Sequence, residues 1–576
     1  MPNFFTQNLD LRRRIRNAPW NAILPALEQG FADPHELAPS SLEEALDFMD
    51  ATLDLVGEIC ANEIAPHAAE VDREGAQLVD GEVRYAAATT KQLKLLAESG
   101  LMGFILPRAH GGLNLPVTCY TAAVEMVSQA DASLMTLFAL QGCGETLHRF
   151  GDAEVHERYL SRLCAGEITA CMALTEPGAG SDLGAVRMRA VPRPGPTPDG
   201  VGAKNGSWIL NGSKCFITNG GADVLLTLAR TEDVEGGAGV SLFAGDRGAG
   251  VEVPKLEEKL GIHGSPTAVV NFDDATGYLL GKRGEGLYRC TLGLLHQVRL
   301  EVAAQAVGVA QAAQSAAAQY ATEREQFGRS IDRFAPVREM LFRNALQIEA
   351  ARAIVFTTAA VVDRKRGILR SGGGPELERY ERMADLLTPL SKFYACEIVN
   401  EVTSRAIQVH GGYGYTQEYP VERHMRDGRI TNIYEGTSEI QVGGMIDALL
   451  DGGLALLFEE PLRDTSEPPS CAGVLDSLRQ TYAHLLAAAD RARAADTLAV
   501  QGWARGIAET TAGVMATLVF LRDASEDDRS ATLARFHASE TLLRGQLCLR
   551  AAETGDRTVF DDESFRAVVE PYRGGA

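Results

Sequence analysis

The chain has 576 residues, 45% hydrophobic and 23% charged, enough for three or four domains with sizeable cores. Its 77 acidic against 55 basic residues leave a net charge of -22, which in the absence of a basic patch argues against nucleic acid or anionic membrane as partners. Ten scattered cysteines form no CxxC pair and no Cys/His cluster, so they are expected to be reduced and mostly buried, with no metal site. No uninterrupted apolar run reaches the roughly 18 residues that span a bilayer.

Residues 1–45 read as an N-terminal extension ending in the polar, proline-containing stretch Asp33 to Ser41. Arg12, Arg13, Arg14 and Arg16 faintly resemble a transit peptide, but Asp10 and the lack of serine there predict an ordinary surface helix and a cytoplasmic protein. Over 46–168 apolar residues such as Leu46, Met49, Leu53 and Val56 recur at helical spacing, interrupted by the loop Leu106 to Gly112; this predicts a helical domain. Short alternating stretches then suggest a small β domain over 169–285, with strands at Ser207 to Gly212, Val224 to Leu228, Gly239 to Phe243 and Ala268 to Phe272. Within it the Pro/Gly-rich segment Val191 to Gly206 is expected to be exposed and mobile.

Long helical patterns return over 286–450, including Val302 to Ala321 and Met340 to Val362, and a four-helix bundle is the economical way to pack them. A linker over 451–470, rich in Pro, Glu and Ser from Glu459 onward, leads to a C-terminal helical domain over 471–576. Three helices are predicted there, near 472–496, 498–522 and 526–553. None joins a strongly basic face to an apolar one, so this domain is expected to pack on the bundle and strengthen an oligomer rather than attach to a membrane. The fold class is mainly α with a small β domain.

Chemistry concentrates in Ile433-Tyr434-Glu435-Gly436-Thr437-Ser438-Glu439-Ile440. Gly436 permits a backbone turn that other residues avoid, Thr437 reads as a helix N-cap, and Glu439 falls in the first helical turn, where the helix dipole favours it. Glu435 is thereby held on a tight turn and becomes the candidate general base, although an ordinary capped helix start would use the same residues. Two further segments accompany it: Met172-Ala173-Leu174-Thr175-Glu176-Pro177-Gly178-Ala179-Gly180-Ser181-Asp182, and Gln408-Val409-His410-Gly411-Gly412-Tyr413-Gly414, closely followed by Arg426-Asp427.

With these three motifs in order, the chain resembles the acyl-CoA dehydrogenase family over roughly residues 45 to 450, in its extended type with an additional C-terminal helical domain. The resemblance implies FAD and dehydrogenation of an acyl-CoA thioester to the trans-2-enoyl-CoA, Glu435 removing the α-proton and flavin N5 taking the β-hydride. Burial beside flavin and acyl chain is expected to raise the Glu435 pKa toward about 6 to 7. By the same resemblance Tyr434 and Gly436 flank the thioester, while Thr437 and Glu439 lie against the cofactor. Met172, Leu174, Thr175, Gly180 and Ser181 would run along the flavin, Ser181 also touching CoA, and Phe216, Ile217 and Thr218 would cover it.

Arg324 and Phe327 resemble a segment that reaches a neighbouring subunit's FAD, with Gln408, Gly411 and Gly412 completing that shared site; a homodimer or homotetramer follows. Arg299 matches an arginine near CoA. The chain departs from the family at His296, where several members carry Asp, and at Phe334-Ala335, where some have His-Gln. Val298 stands where some members place an alternative base, and valine cannot take a proton. His410 and His424 read as packed rather than catalytic. An electron-transfer flavoprotein is the implied electron acceptor; the alternatives are an oxygen-using acyl-CoA oxidase, or a non-catalytic flavin-bound relative, against which Glu435 and the acidic charge argue.

Overall fold

The computed structural model describes residues 1–194, 206–555 and 558–573, so most of the Val191 to Gly206 segment lies outside the described residues. The chain opens with α1 (Leu9–Arg16) and α2 (Trp20–Leu27), followed by α3 (Leu42–Ile59). The start of α3 follows from its sequence: the Ser41 hydroxyl accepts the Glu44 N–H, and the Glu44 carboxylate accepts the Ser40 N–H in return. The buried helices α4 (Val117–Ala130) and α5 (Ala132–Phe138) come next, then α6 (Gln141–Phe150) and α7 (Ala153–Cys164).

The β domain holds β1 (Ala170–Ala173), β2 (Arg189–Pro192), β3 (Ser207–Thr218), β4 (Val224–Arg230), β5 (Val240–Asp246), β6 (Val251–Leu256) and β7 (Thr267–Leu280). Pairing runs β1–β4–β2–β3–β7–β5, and β5 also pairs with β4, so the sheet curls back on itself. The long β7 makes this possible: one edge pairs with β3, and the other is shared by β6 near Ala268 and β5 near Tyr278. Inside, alternate residues such as Trp208, Leu210, Phe243 and Val270 meet in a separate core.

Three long helices follow, α8 (Leu292–Glu323), α9 (Ala335–Arg370) and α10 (Leu377–His410), completed by the shorter α11 (Val421–Gly428) and α12 (Ser438–Ala448). By length and composition, Ala335–Arg370 and Ser438–Asp464 are apolar enough to cross a membrane, with 72% and 50% of their most apolar windows buried inside the fold. A search for unbroken apolar runs passes over α9 because Glu349 and Arg352 interrupt it, and both are buried. The fully buried Arg352 guanidinium reaches Glu125 on α4 at 2.7 Å, Gln311 on α8 at 2.8 Å, and Glu349 one turn away. Charges taken this far from water persist only when paired and hydrogen-bonded, so this cluster fixes three helices in register.

The stretch expected as a linker is partly helix: α13 (Leu454–Asp464) buries Leu454, Leu457, Phe458 and Leu462. Their i, i+3, i+4, i+8 spacing makes an apolar stripe that overrides the Pro/Glu-rich composition. The three C-terminal helices lie close to their predicted positions, as α14 (Val474–Arg493), α15 (Thr497–Asp523) and α16 (Asp528–Thr554), and α15 packs on α9, α10 and α12. Helix α1 is not a free surface helix. It buries Leu11 and Ile15, Arg14 pairs with Asp523, Arg13 lies 3.1 Å from Asp527 and Arg16 2.9 Å from Glu526, while Asp10 accepts from Arg529 at 2.6 Å.

Asp363 of α9 caps α4 from outside, its carboxylate accepting the Val117 N–H at 2.7 Å, the Thr118 N–H at 2.8 Å and the Thr118 hydroxyl at 2.7 Å. Replacing it by alanine orphans these buried donors, so Asp363→Ala is expected to lose about 1–3 kcal/mol, read as a lower urea midpoint.

Candidate active site

Glu435 lies on the turn between α11 and α12 in left-handed backbone (φ 57°), followed by Gly436 (φ 94°). A non-glycine residue there stores strain that the surroundings must offset. They do so through the turn's own carbonyls. Lys392 of α10 donates to the Gly436 carbonyl at 2.7 Å, Gln441 of α12 donates to the carbonyls of Glu435 and Gly436 at 3.1 Å each, and the Arg299 Nε of α8 donates to that of Glu435 at 3.4 Å. Thr437 caps α12 by accepting the Ile440 N–H, and Tyr434 anchors the other side by donating from its hydroxyl to Gln305.

The carboxylate lines a small cavity of about 40 Å³ between α5, α6, α8 and the sheet, walled by Met135, Leu140, Leu294, Val298 and Val302, with Met172 and Thr218 contributed by the β domain. Burial raises the Glu435 pKa, opposed by the positive charges of Arg299 and Lys392. The same burial depresses Lys392 and Arg299. The Glu435 side chain makes no hydrogen bond, and its own N–H has no acceptor, among the described residues. A carboxylate in this setting is largely withdrawn from water and accompanied by an unused donor.

A second carboxyl shares the cavity wall. Glu301 on α8 is buried and accepts from Gln297 at 3.1 Å with one oxygen, while its other oxygen has no partner. Burial first, and then the charges of Glu145 and Glu435, push its pKa well above the ordinary carboxylate range. Its protonated form is thereby favoured, and it adds a second carboxyl to a wall that is otherwise mostly apolar.

The Thr175 to Ser181 loop follows β1, which contributes Met172 to the cavity wall. Leu174 is buried and Thr175 half-buried, while Gly180 and Ser181 are exposed. Glu176, within the motif but given no role by sequence reasoning, is the loop's anchor: its carboxylate accepts the Arg187 and Met188 N–H groups at 2.7 and 3.0 Å and the buried Lys214 ammonium at 2.8 Å. Lys214 also donates to the Leu174 carbonyl at 3.0 Å, and Cys215 N–H to that of Thr175 at 3.0 Å, tying loop to strand β3. The strand ends with Phe216, 64% exposed in left-handed backbone (φ 59°), the buried Ile217, and Thr218 on the cavity wall.

Not all candidate residues gather here. Arg324 and Phe327 follow the C-terminal end of α8, about 37 Å along that helix from Arg299 at 1.5 Å per residue. There they share an exposed end of the bundle with Gln408, Gly411 and Gly412, and Phe327 is 94% exposed. Glu439 is also exposed, 3.8 Å from Arg505 of α15. Arg426 and Asp427 serve the frame: Arg426 pairs with Asp72 at 2.6 Å and Asp427 accepts the Ile262 N–H at 2.6 Å. His410 is packed, its ring 4.3 Å from that of Tyr320. Lys392, Gln441, Gln305 and Glu301 were missed in the sequence; a lone Lys at an interior position of α10 and a lone Glu within an apolar helix were the available signals.

Comparison with known proteins agrees with this geometry. Models of the acyl-CoA dehydrogenase N-terminal, middle and C-terminal domains match residues 49–167, 171–275 and 284–450. A short-chain-specific acyl-CoA dehydrogenase of Clostridium acetobutylicum is 34% identical over 394 residues, 67% of this chain and 94% of that protein. A 3-methylmercaptopropionyl-CoA dehydrogenase of Ruegeria pomeroyi is 35% identical over 512 residues, covering 83% of this chain and 84% of that one. The solved structure of a Bacillus anthracis acyl-CoA dehydrogenase complexed with FAD shares the fold over 92% of this chain and 90% of that chain, with a TM-score of 0.74 at 24% identity. The chain belongs to the acyl-CoA dehydrogenase family and is an oxidoreductase.

The charge balance around Glu435 is open to test. Lys392→Met removes a cation that favours the ionised base, so the acid limb of the pH–rate profile is expected to move to higher pH; an unmoved limb would show that Lys392 supports the turn alone.

Proposed function

We propose that this protein is an FAD-dependent acyl-CoA dehydrogenase in which Glu435 removes the α-proton of an acyl-CoA thioester and the product is the trans-2-enoyl-CoA. The observation that carries the reading is the Glu435 carboxylate, raised in pKa and facing an apolar cavity beside an unused N–H. A thioester α-proton is weakly acidic, so the base needs a pKa near working pH and a donor for the developing enolate oxygen. The Glu435 N–H, with no acceptor among the described residues, is the donor this reading assigns to that oxygen. Tyr434 and Gly436 flank the thioester, and Arg299 steadies the turn while contributing positive charge on the CoA side. Raised pKa means that the base is charged, and the enzyme active, only above a pH higher than that of an ordinary carboxylate.

The residues at the cavity mouth fit a flat ring system. Phe216 leaves a large apolar face uncovered next to Thr218 and Met172, and the exposed Gly180 and Ser181 leave backbone open to close approach. FAD bound there would supply the acceptor for the β-hydride. On this reading Met172, Leu174, Thr175, Gly180, Ser181, Phe216, Ile217, Thr218, Thr437 and Glu439 hold the cofactor. The exposed group of Arg324, Phe327, Gln408, Gly411 and Gly412 lies too far along the bundle to join them within one subunit, which supports a cofactor site shared with a second copy. Electron-transfer flavoprotein is the proposed acceptor. The division into 46–168, 169–285, 286–450 and 471–576 belongs to the same proposal, supported by the spans of the three domain matches.

The cavity favours a short acyl chain, and the unpartnered oxygen of Glu301 on its wall favours one bearing a hydrogen-bonding hydroxyl. Anaerobic mixing of the yellow protein with a panel of acyl-CoAs is expected to bleach the flavin. In Glu435→Gln, bound FAD and CoA affinity should persist while bleaching slows about 10²- to 10⁴-fold; near-normal bleaching would refute Glu435 as base. Glu301→Leu is expected to reduce the kcat/KM preference for 6-hydroxyhexanoyl-CoA over hexanoyl-CoA at least several-fold, and an unchanged ratio would exclude Glu301 from substrate choice.

A further inference from the structure

Composition gave no reason to expect a metal, yet the fold gathers three of the chain's 11 histidines at one place away from Glu435. His110 ends the short turn Arg108–His110, His148 lies in the last turn of α6, and His156 in the first turn of α7. Their ring centroids are 5.6 Å (His110–His148), 5.9 Å (His110–His156) and 5.4 Å (His148–His156) apart, and one nitrogen of each lies within 4.8 Å of those of the other two. Nδ1 of His148 and Nε2 of His156 are buried without a hydrogen-bond partner. Mutual packing of imidazoles does not account for this, because it leaves buried polar nitrogens unsatisfied.

We propose that His110, His148 and His156 form a binding site for one divalent transition-metal cation, with zinc the natural occupant of three imidazole ligands. Zinc–nitrogen bonds of about 2.0–2.1 Å would set the ligand nitrogens roughly 3.4 Å apart around a tetrahedron, and modest side-chain rotation closes the gap. Coordination needs neutral imidazole, and burial, with the neighbouring rings, already holds His110 and His148 below their ordinary pKa. Glu145, one turn before His148, is the nearby acid that favours positive charge, and Arg370 opposes it. The bound ion would pin the Arg108–His110 turn and α7 to the end of α6, whose other end carries Gly142 and Cys143 of the cavity wall. The role that follows is structural: fastening one wall of the cavity.

The test uses the full-length holoenzyme, stripped with a chelator and titrated with Zn²⁺ and, separately, Co²⁺. Expected are one equivalent of zinc by elemental analysis, a rise of several degrees in thermal midpoint, and the visible absorption of low-coordinate Co²⁺. His148→Ala and, as a milder change at the exposed side of the cluster, His110→Gln should each weaken binding at least tenfold while flavin content stays normal. Stoichiometry below 0.1 in the wild type at 100 µM metal, or wild-type affinity in both variants, would overturn the site. Acyl-CoA-dependent flavin bleaching measured in parallel distinguishes a failed metal site from a failed enzyme, since the variants change no residue that lines the cavity.

Discussion

Everything functional here depends on one strained turn. A glutamate in left-handed backbone would relax into solvent if its carbonyls were free, but three side chains from three helices, Arg299, Lys392 and Gln441, hold the carbonyls of residues 435 and 436. The donors are themselves partly desolvated cations and an amide, so the strain at the turn and the burial of Lys392 are stabilised by the same bonds. That coupling makes the base rigid. It also lets the proposed base stand on a loop while its precision comes from the bundle.

The same division of labour recurs at the sheet. The Thr175 to Ser181 loop is glycine-rich and exposed where a cofactor would approach, yet Glu176 and Lys214 bind its root to β3 with an ion pair that solvent barely reaches. Residues proposed to meet ligand are small or flat; residues that hold them are charged and hidden. Arg352 with Glu125 and Glu349 does for the helices what Lys214 does for the loop.

Much of this was legible in the sequence because it is local. The N-cap at Thr437, the alternating strands, the helical stripes and the three motifs each announce themselves within a dozen residues. What stayed hidden is long-range. Lys392 meets Gly436 across 44 positions and Glu176 meets Lys214 across 38, and no periodicity links such partners. Glu301 looks like one charge on a helix until the cavity surrounds it, and the helix at Leu454–Asp464 was masked by a composition that suggested a linker. His110, His148 and His156 have no metal-motif spacing, because two turns and a helix junction, rather than a single element, bring them together.

The arginine-rich α1 has a consequence for how the molecule is made. Its partners Asp523, Glu526, Asp527 and Arg529 lie some five hundred residues downstream; Arg14 and Asp523 are separated by 509 positions. On the ribosome this cationic helix must wait for these partners through nearly the whole of translation. Those ion pairs close only after the final helices have emerged.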